Sequence, residues 1–248
     1  MNLILFSRRE ILDAGTVAID DGRALHIRNV LKAGPGLPIQ IGIIDGPRGL
    51  GTVRSVDGSS VTLDCAFEAS RPSLPAVDLL LALPRPKVMK RLWAQLAAIG
   101  VGRILGVNAA RVERQYFDTH VLSPECYRPL LIEGLQQARD TRLPVVSIHR
   151  RLKVLVEDEL GEPGDQAARL LADPTARNSV RSAVETSRAE RCLLAVGPEG
   201  GWTDFEREML HAHGFTSVGM RPRALRSDTA CIALLTLVHE ALADAGSR

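Results

Sequence analysis

The sequence predicts an α/β protein in two parts, a small N-terminal β-barrel followed by a larger, mostly parallel sheet covered by helices on both faces. Short β-like runs separated by turn signals fill residues 1–70, and from residue 76 onward apolar strands alternate with helical stretches. A third observation concerns glycine, which gathers where an apolar strand passes into a helix, the usual place for a ligand in a parallel sheet.

Within the first part the strands are Leu3 to Phe6, Thr16 to Ile19, Pro38 to Ile44, Gly51 to Val56 and Val61 to Ala66, divided by Asp-Gly and Gly-Pro turns. One helix interrupts them: Ala24, Ile27, Val30 and Leu31 recur at helical spacing within Gly22 to Lys32, and Gly34-Pro35-Gly36 stops it. The Pro-bearing segment Arg71 to Pro75 places the domain boundary between 1–70 and 76–248. Strands are then expected at Val77 to Leu83, Arg103 to Val107, Val145 to His149, Arg169 to Ala172, Cys192 to Val196 and Ser217 to Met220. The helices between them are Val88 to Ala98, Pro124 to Ala138, Leu152 to Leu160, Val180 to Thr186 and Asp204 to His213, with a last one from Asp228 to Ala243.

Composition narrows the class. With 45% hydrophobic and 24% charged residues, the chain has the proportions of a folded globular protein. The apolar run Met1 to Phe6 is too short for a signal peptide or a membrane span, so a cytoplasmic protein without membrane association is expected. Cys65, Cys126, Cys192 and Cys231 lie far apart, which suits reduced thiols and gives no metal motif. A net charge of +2 does not mark a nucleic-acid binder, but basic residues cluster at Arg85, Lys87, Lys90, Arg91 and Arg103, and again at Arg139, Arg142, Arg150, Arg151 and Lys153. Each cluster is either a phosphate-contacting surface or a solvated helix face.

The chemistry-bearing tract starts at Gly197-Pro198-Glu199-Gly200-Gly201. Three glycines in five positions let main chain approach a ligand closely, whereas a tight strand-to-helix turn needs one. Thr203 is a suitable N-cap, and Glu206 completes a capping box. The tract is neither a Rossmann fingerprint nor a P-loop, so a dinucleotide or nucleoside triphosphate is not expected.

This loop, followed by Arg223-Ala224-Leu225-Arg226-Ser227-Asp228-Thr229-Ala230, resembles the SPOUT class of RNA methyltransferases, and within it the RsmE family, which methylates N3 of a uridine in small-subunit ribosomal RNA. His26 to Leu31 with Gly34 or Gly36, the Gly100-Val101 junction and Gln137 to Pro144 extend the likeness over nearly the whole chain. The resemblance implies a PUA-like N-terminal barrel, a C-terminal α/β domain threaded into a trefoil knot, S-adenosylmethionine as cofactor, a homodimer, and 16S rRNA of the small ribosomal subunit as partner.

It also implies roles. Gly197, Glu199, Gly200 and Gly201 form one wall of the cofactor slot, and Met220, Pro222, Leu225 and Thr229 the rest. Glu199 either faces the cofactor or caps a neighbouring helix. Loss of the N3 proton leaves an anion, and Arg226 is the group expected to orient the base and stabilise that charge, with Arg223 assisting. A structural alternative has Arg226 satisfying loop carbonyls. Asp228 fits a carboxylate complementing a helix dipole better than a general base, and no other base stands out. RNA contacts are expected from Arg28, Lys87, Arg139 and Arg142, and Trp202 or Trp93 could serve as a platform for an exposed base, core packing being the stronger reading for Trp93. The chain departs from the family at Arg221, where Gly is usual, and at Gln95, Ala98 and Asp140. Two other readings remain open: a SPOUT enzyme with a different RNA target, and a non-catalytic RNA-binding or ribosome-assembly protein of the same fold.

Overall fold

The computed structural model describes residues 2–12, 15–162, 164, 167–220 and 225–246. The chain divides into two compact units, Met1–Leu74 with Leu131–Leu143, and Pro75–Leu130 with Pro144–Arg248.

The first unit holds β1 (Ile4–Phe6), β2 (Thr16–Ile19), β3 (Pro38–Ile43), β4 (Arg48–Asp57), β5 (Ser60–Phe67) and α1 (Gly22–Asn29). Its sheet runs β1-β3-β4-β5-β2, parallel between β1 and β3 and antiparallel elsewhere. The β4–β5 register slips between Val53 and Ser55, a bulge of the kind that sharpens twist and curls a sheet. Val61 and Leu63 point inward with a period of two and meet Ala24 and Ile27 of α1, all fully buried. Asp21 starts α1 by accepting from the Arg23 amide at 2.8 Å. The Arg23 guanidinium donates to Glu10, Asp21 and the Leu5 carbonyl and lies over the Phe6 ring, tying the helix to the first strand. Leu131–Leu143 joins this unit through local bonds, Thr141 Oγ1 to the Gly46 carbonyl at 2.6 Å and the Leu143 amide to Asp45 Oδ1 at 3.1 Å.

The second unit is an α/β fold with a six-stranded, wholly parallel sheet. Its strands are β6 (Val77–Ala82), β7 (Val101–Val107), β8 (Val145–His149), β9 (Ala167–Ala172), β10 (Arg191–Val196) and β11 (Phe215–Val218), in the order β11-β9-β10-β6-β7-β8. The helices are α2 (Pro86–Ile99), α3 (Pro124–Ala138, whose second half belongs to the first unit), α4 (Leu152–Val154), α5 (Val180–Ser187), α6 (Asp204–Ala212) and α7 (Ser227–Gly246). Every residue of β6 is buried, as a strand covered on both faces requires. Its one charge, Asp78, is satisfied by the amide and Nε of Arg103 at 2.8 and 2.9 Å.

Several boundaries differ from the sequence reading by a few residues, and two of the differences change the local structure. The helix expected over Leu152 to Leu160 passes from α4 into a π-turn, Leu155–Glu159. The last strand ends at Val218 rather than Met220, because the Gly219 amide turns away to the Asn178 carbonyl at 2.9 Å. Met220 therefore sits in a connection, free of the ladder.

β6 and β10 are neighbours, yet the connection from β6 leads to β7 on one side while that from β10 leads toward β11 on the other. Such a switch point leaves a crevice beyond the carboxyl ends of the two strands. Among the described residues, no helix is long and apolar enough to cross a membrane, and no group of three or more His, Cys, Asp or Glu could hold a metal ion.

Candidate active site

The glycine loop leaves β10 at that crevice. The Gly201 amide turns back to the Pro198 carbonyl at 2.8 Å, with Gly201 at φ 72°, where a side chain is strained. A Cβ on Gly197 would lie 2.9 Å from Nε1 of Trp202, so glycine is required for the indole to fold beneath the loop. The capping box is present: Glu206 Oε2 accepts from the Thr203 amide at 2.8 Å, and Thr203 Oγ1 accepts from the Glu206 amide at 3.3 Å.

Glu206 does more than cap. It is buried, and its other oxygen accepts from the Ala110 amide at 2.7 Å, while the neighbouring Arg111 donates to the Gly200 carbonyl. The connection after β7 is thereby fastened over the glycine loop. Sequence reasoning missed this partner, because nothing in Ala110 or Arg111 marks a contact so distant along the chain.

The second wall is the start of α7. Asp228 Oδ1 accepts from the Thr229 amide at 2.9 Å, and Oδ2 pairs with Arg91 of α2 at 3.2 Å. Across from it Glu199 pairs with Arg85, the N-cap residue of α2, at 3.4 Å. Both walls line one cavity of about 480 Å³, bounded among the described residues by Arg85, Val88, Glu199, Leu225, Arg226, Ser227 and Asp228. A second cavity of about 570 Å³ has a largely apolar wall that includes Val180, Gly219, Met220, Leu225 and Leu237. Leu225 borders both.

Of the residues singled out in the sequence, Glu199, Leu225 and Arg226 meet in the charged cavity, with Gly197, Gly200 and Gly201 in the loop that carries Glu199. Met220 lines the apolar cavity. Thr229 is exposed in the first turn of α7 and lines neither among the residues named for them. Pro222 and Arg223, like Arg221, lie outside the described residues. Lys87 is exposed in the first turn of α2; Arg28 and Arg139 belong to the first unit, Arg28 half-buried and Arg139 exposed. Arg142, also there, is only 8% exposed, so little of it could meet RNA. Neither tryptophan offers an open face: Trp93 is fully buried and donates to the Val121 carbonyl at 3.0 Å, and Trp202 is 3% exposed. Burial pushes the thiols of Cys192 and Cys231 up to about 12, which leaves both protonated near neutral pH and without nucleophilic character.

A crevice at the switch point of a parallel sheet, beside a glycine-rich loop and an arginine at a helix start, defines an α/β protein with two cavities that share Leu225, one largely apolar and one charged. The chain belongs to the RNA methyltransferase domain family, whose model matches residues 71–239. It is similar to the ribosomal RNA small subunit methyltransferase E of Treponema pallidum, 29% identical over 96% of this chain and 90% of the relative. The ribosomal RNA small subunit methyltransferase E 1 of Borreliella burgdorferi is 24% identical over 94% of this chain and 95% of its own. The RsmE likeness read from the motifs is borne out by these names. Among solved structures, the Neisseria gonorrhoeae ribosomal RNA small subunit methyltransferase E bound to S-adenosyl methionine shares the fold with a TM-score of 0.75, at 19% identity, over 96% of this chain and 97% of the other.

Proposed function

We propose that this protein transfers the methyl group of S-adenosylmethionine to N3 of a uridine in 16S rRNA of the small ribosomal subunit. The single observation that carries the reading is the shared cavity: Glu199 of the glycine loop and Leu225, Arg226 and Asp228 of the arginine-bearing segment line one space.

The residues present fit the cofactor. An adenosyl group is best held by main chain and apolar walls with few charges, in pockets of roughly 300 to 1,000 Å³. The apolar cavity of about 570 Å³ has that size and a mostly apolar surface, with Arg181, Glu240 and Asp244 also on its lining, and the buried indole N–H of Trp202 behind the loop has no partner among the described residues. Met220 and Leu225 would offer it apolar surface, and Gly197, Gly200 and Gly201 would offer main chain from the loop whose Glu199 lines the adjoining charged cavity. Once bound, the cofactor supplies an electrophilic methyl on a sulfonium. The adjoining charged cavity takes the base. Arg226, exposed there, holds the uracil edge and stabilises the negative charge left when the N3 proton departs to solvent. Glu199 and Asp228 are each held by an arginine, so their role is to fix Arg85 and Arg91 at the rim.

The same reading takes the curled N-terminal sheet as a PUA-like barrel over 1–70 that helps hold RNA through Arg28 and Arg139, and the segment from β11 into α7 as threading a trefoil knot within 76–248. The packing of α7 against α2, α5, β6 and β10 supports the second. Two copies pair into a homodimer, in the cytoplasm where small subunits are assembled. The test is incubation of the purified protein with methyl-labelled cofactor and small subunits lacking the modification. The expected outcome is label in 16S rRNA and a new reverse-transcription stop, since N3-methyluridine cannot pair. Label without a stop would place the methyl elsewhere. Absence of both, with no cofactor heat in calorimetry, would leave an RNA-binding assembly protein.

A further inference from the structure

We propose that the first unit carries a pocket for one unpaired nucleotide of the RNA substrate, its base against Leu31 and Leu37 and its phosphate on Arg139; this rests on the methyltransferase reading and deepens it. The pocket is a cavity of about 350 Å³, within the roughly 300 to 1,000 Å³ of small-ligand sites. All of its lining lies in the first unit. Leu3, Ala33 and Ile39 give it a buried apolar floor. Leu31 and Leu37, 42% and 49% exposed, line it together with the exposed residues Asn2, Gln40 and Arg139. Both leucines are held by main chain. The Leu31 amide bonds to the His26 carbonyl at 3.0 Å as α1 ends, the Leu37 amide reaches the Gly34 carbonyl at 3.2 Å, and the Leu37 carbonyl accepts from Val53 of β4 at 3.0 Å. Their apolar surface is therefore fixed beside the cavity while remaining open to solvent.

Charge selects the occupant. The two cavities of the second unit each carry carboxylates, whereas this one has none on its lining among the described residues, and Arg139 is its one charged side chain. Arg23, Arg48 and Arg54 of the same unit each meet a carboxylate, but Arg139 has no hydrogen-bond or ion-pair partner among the described residues. It also stands where glycine is favoured: its φ is 58°, and the Asp140 amide turns back to the Leu135 carbonyl at 3.0 Å to end α3. An arginine kept in that conformation presents a free cation to the cavity, and exposed Lys32, between two lining residues, adds a second close by. The amides complete the fit. Asn2 Nδ2 donates to the Gln137 carbonyl at 3.1 Å, which leaves Oδ1 as an acceptor, and Gln40 offers both a donor and an acceptor. Apolar walls for the faces of a base, amides for its edge and an unpaired guanidinium for its phosphate are the chemistry that holds splayed-out, single-stranded RNA. A duplex offers neither a free face nor a free edge, so the pocket favours an unpaired nucleotide.

Filter binding of labelled, in-vitro transcribed 16S rRNA at several salt concentrations tests both contacts without depending on methyl transfer. Arg139→Met should weaken binding several-fold and lower the slope of log affinity against log salt by roughly one, as loss of a single phosphate contact does. Leu37→Ala should weaken binding about tenfold with the salt slope unchanged, and Leu37→Met, which keeps the apolar wall, should bind as the wild type does. Thermal unfolding of the Leu37 variants should match the wild type, because the side chain is half exposed. Wild-type binding by Leu37→Ala overturns the proposal even where Arg139→Met is weak, since it leaves a surface charge without a pocket. A loss in Leu37→Ala that Leu37→Met does not restore, or that follows a lowered unfolding temperature, also overturns it. If both variants bind normally while the wild type labels 16S rRNA, the pocket falls and the methyltransferase reading stands. Binding that depends on Leu37 and Arg139 in a protein that transfers no methyl leaves the pocket and removes that reading.

Discussion

The two walls of the charged cavity are built on opposite principles. The glycine loop is over-determined: a turn bond within it, a capping box after it, a buried carboxylate reaching to Ala110 and a guanidinium on the Gly200 carbonyl leave it little freedom. The start of α7 is held by an exposed ion pair to Arg91 and by a local bond from Thr229 to Asp228, while Arg226 and Leu225 face outward. Main chain that must grip a cofactor the same way each time profits from being fixed before binding, whereas side chains that meet an entering base must remain accessible.

The largest effect should come from the accessible wall. Arg226→Ala is expected to lower the methylation rate constant roughly a hundredfold or more, with cofactor affinity within a few-fold. Single-turnover rates and calorimetry on the same variant separate the two. If affinity falls as steeply as rate, Arg226 supports the pocket rather than the reacting base, and the division between the walls fails.

The fixed wall should respond in the opposite parameter. Gly197→Ala forces a methyl group to 2.9 Å from the Trp202 ring, a clash costing about 1–3 kcal/mol, so cofactor affinity should drop about tenfold. The turnover of the complex, measured at saturating cofactor, should change less. Thr203→Ala removes the cap and should cost about 1 kcal/mol in thermal unfolding. Intact stability in that variant would mean that Glu206, through Ala110, holds the loop without the box.

Much of this wall was legible in the sequence because its causes are local. A capping residue, a buried strand and a run of glycines act within one turn of chain, and Thr203, Glu206 and β10 lie where their neighbours place them. The partner loop at Ala110 and Arg111 was not legible, since its bond to Glu206 depends on strand order, which no local pattern encodes. Arg142 shows the same limit from the other side. Its place in a basic cluster suggested RNA, but the Asp140 carboxylate turns the chain at the Thr141 and Arg142 amides and leaves the side chain buried. Elements were fixed by pattern; burial was fixed by the fold.

The smallest expected effect tests the weaker wall. Arg91 and Asp228 meet at 3.2 Å, but the arginine side chain is 63% exposed and the carboxylate 20%, so solvent and salt screen the pair. Arg91→Met should therefore change unfolding stability by less than about 1 kcal/mol, and the difference from wild type should vanish as ionic strength rises. Asp228 retains its place at the amino end of α7, where a negative charge is favourable without a partner. Methyl transfer should stay within a few-fold. A large loss of transfer at unchanged stability would show that Arg91 positions the start of α7 for the base, in which case the accessible wall is as firmly built as the glycine loop and the contrast between them disappears.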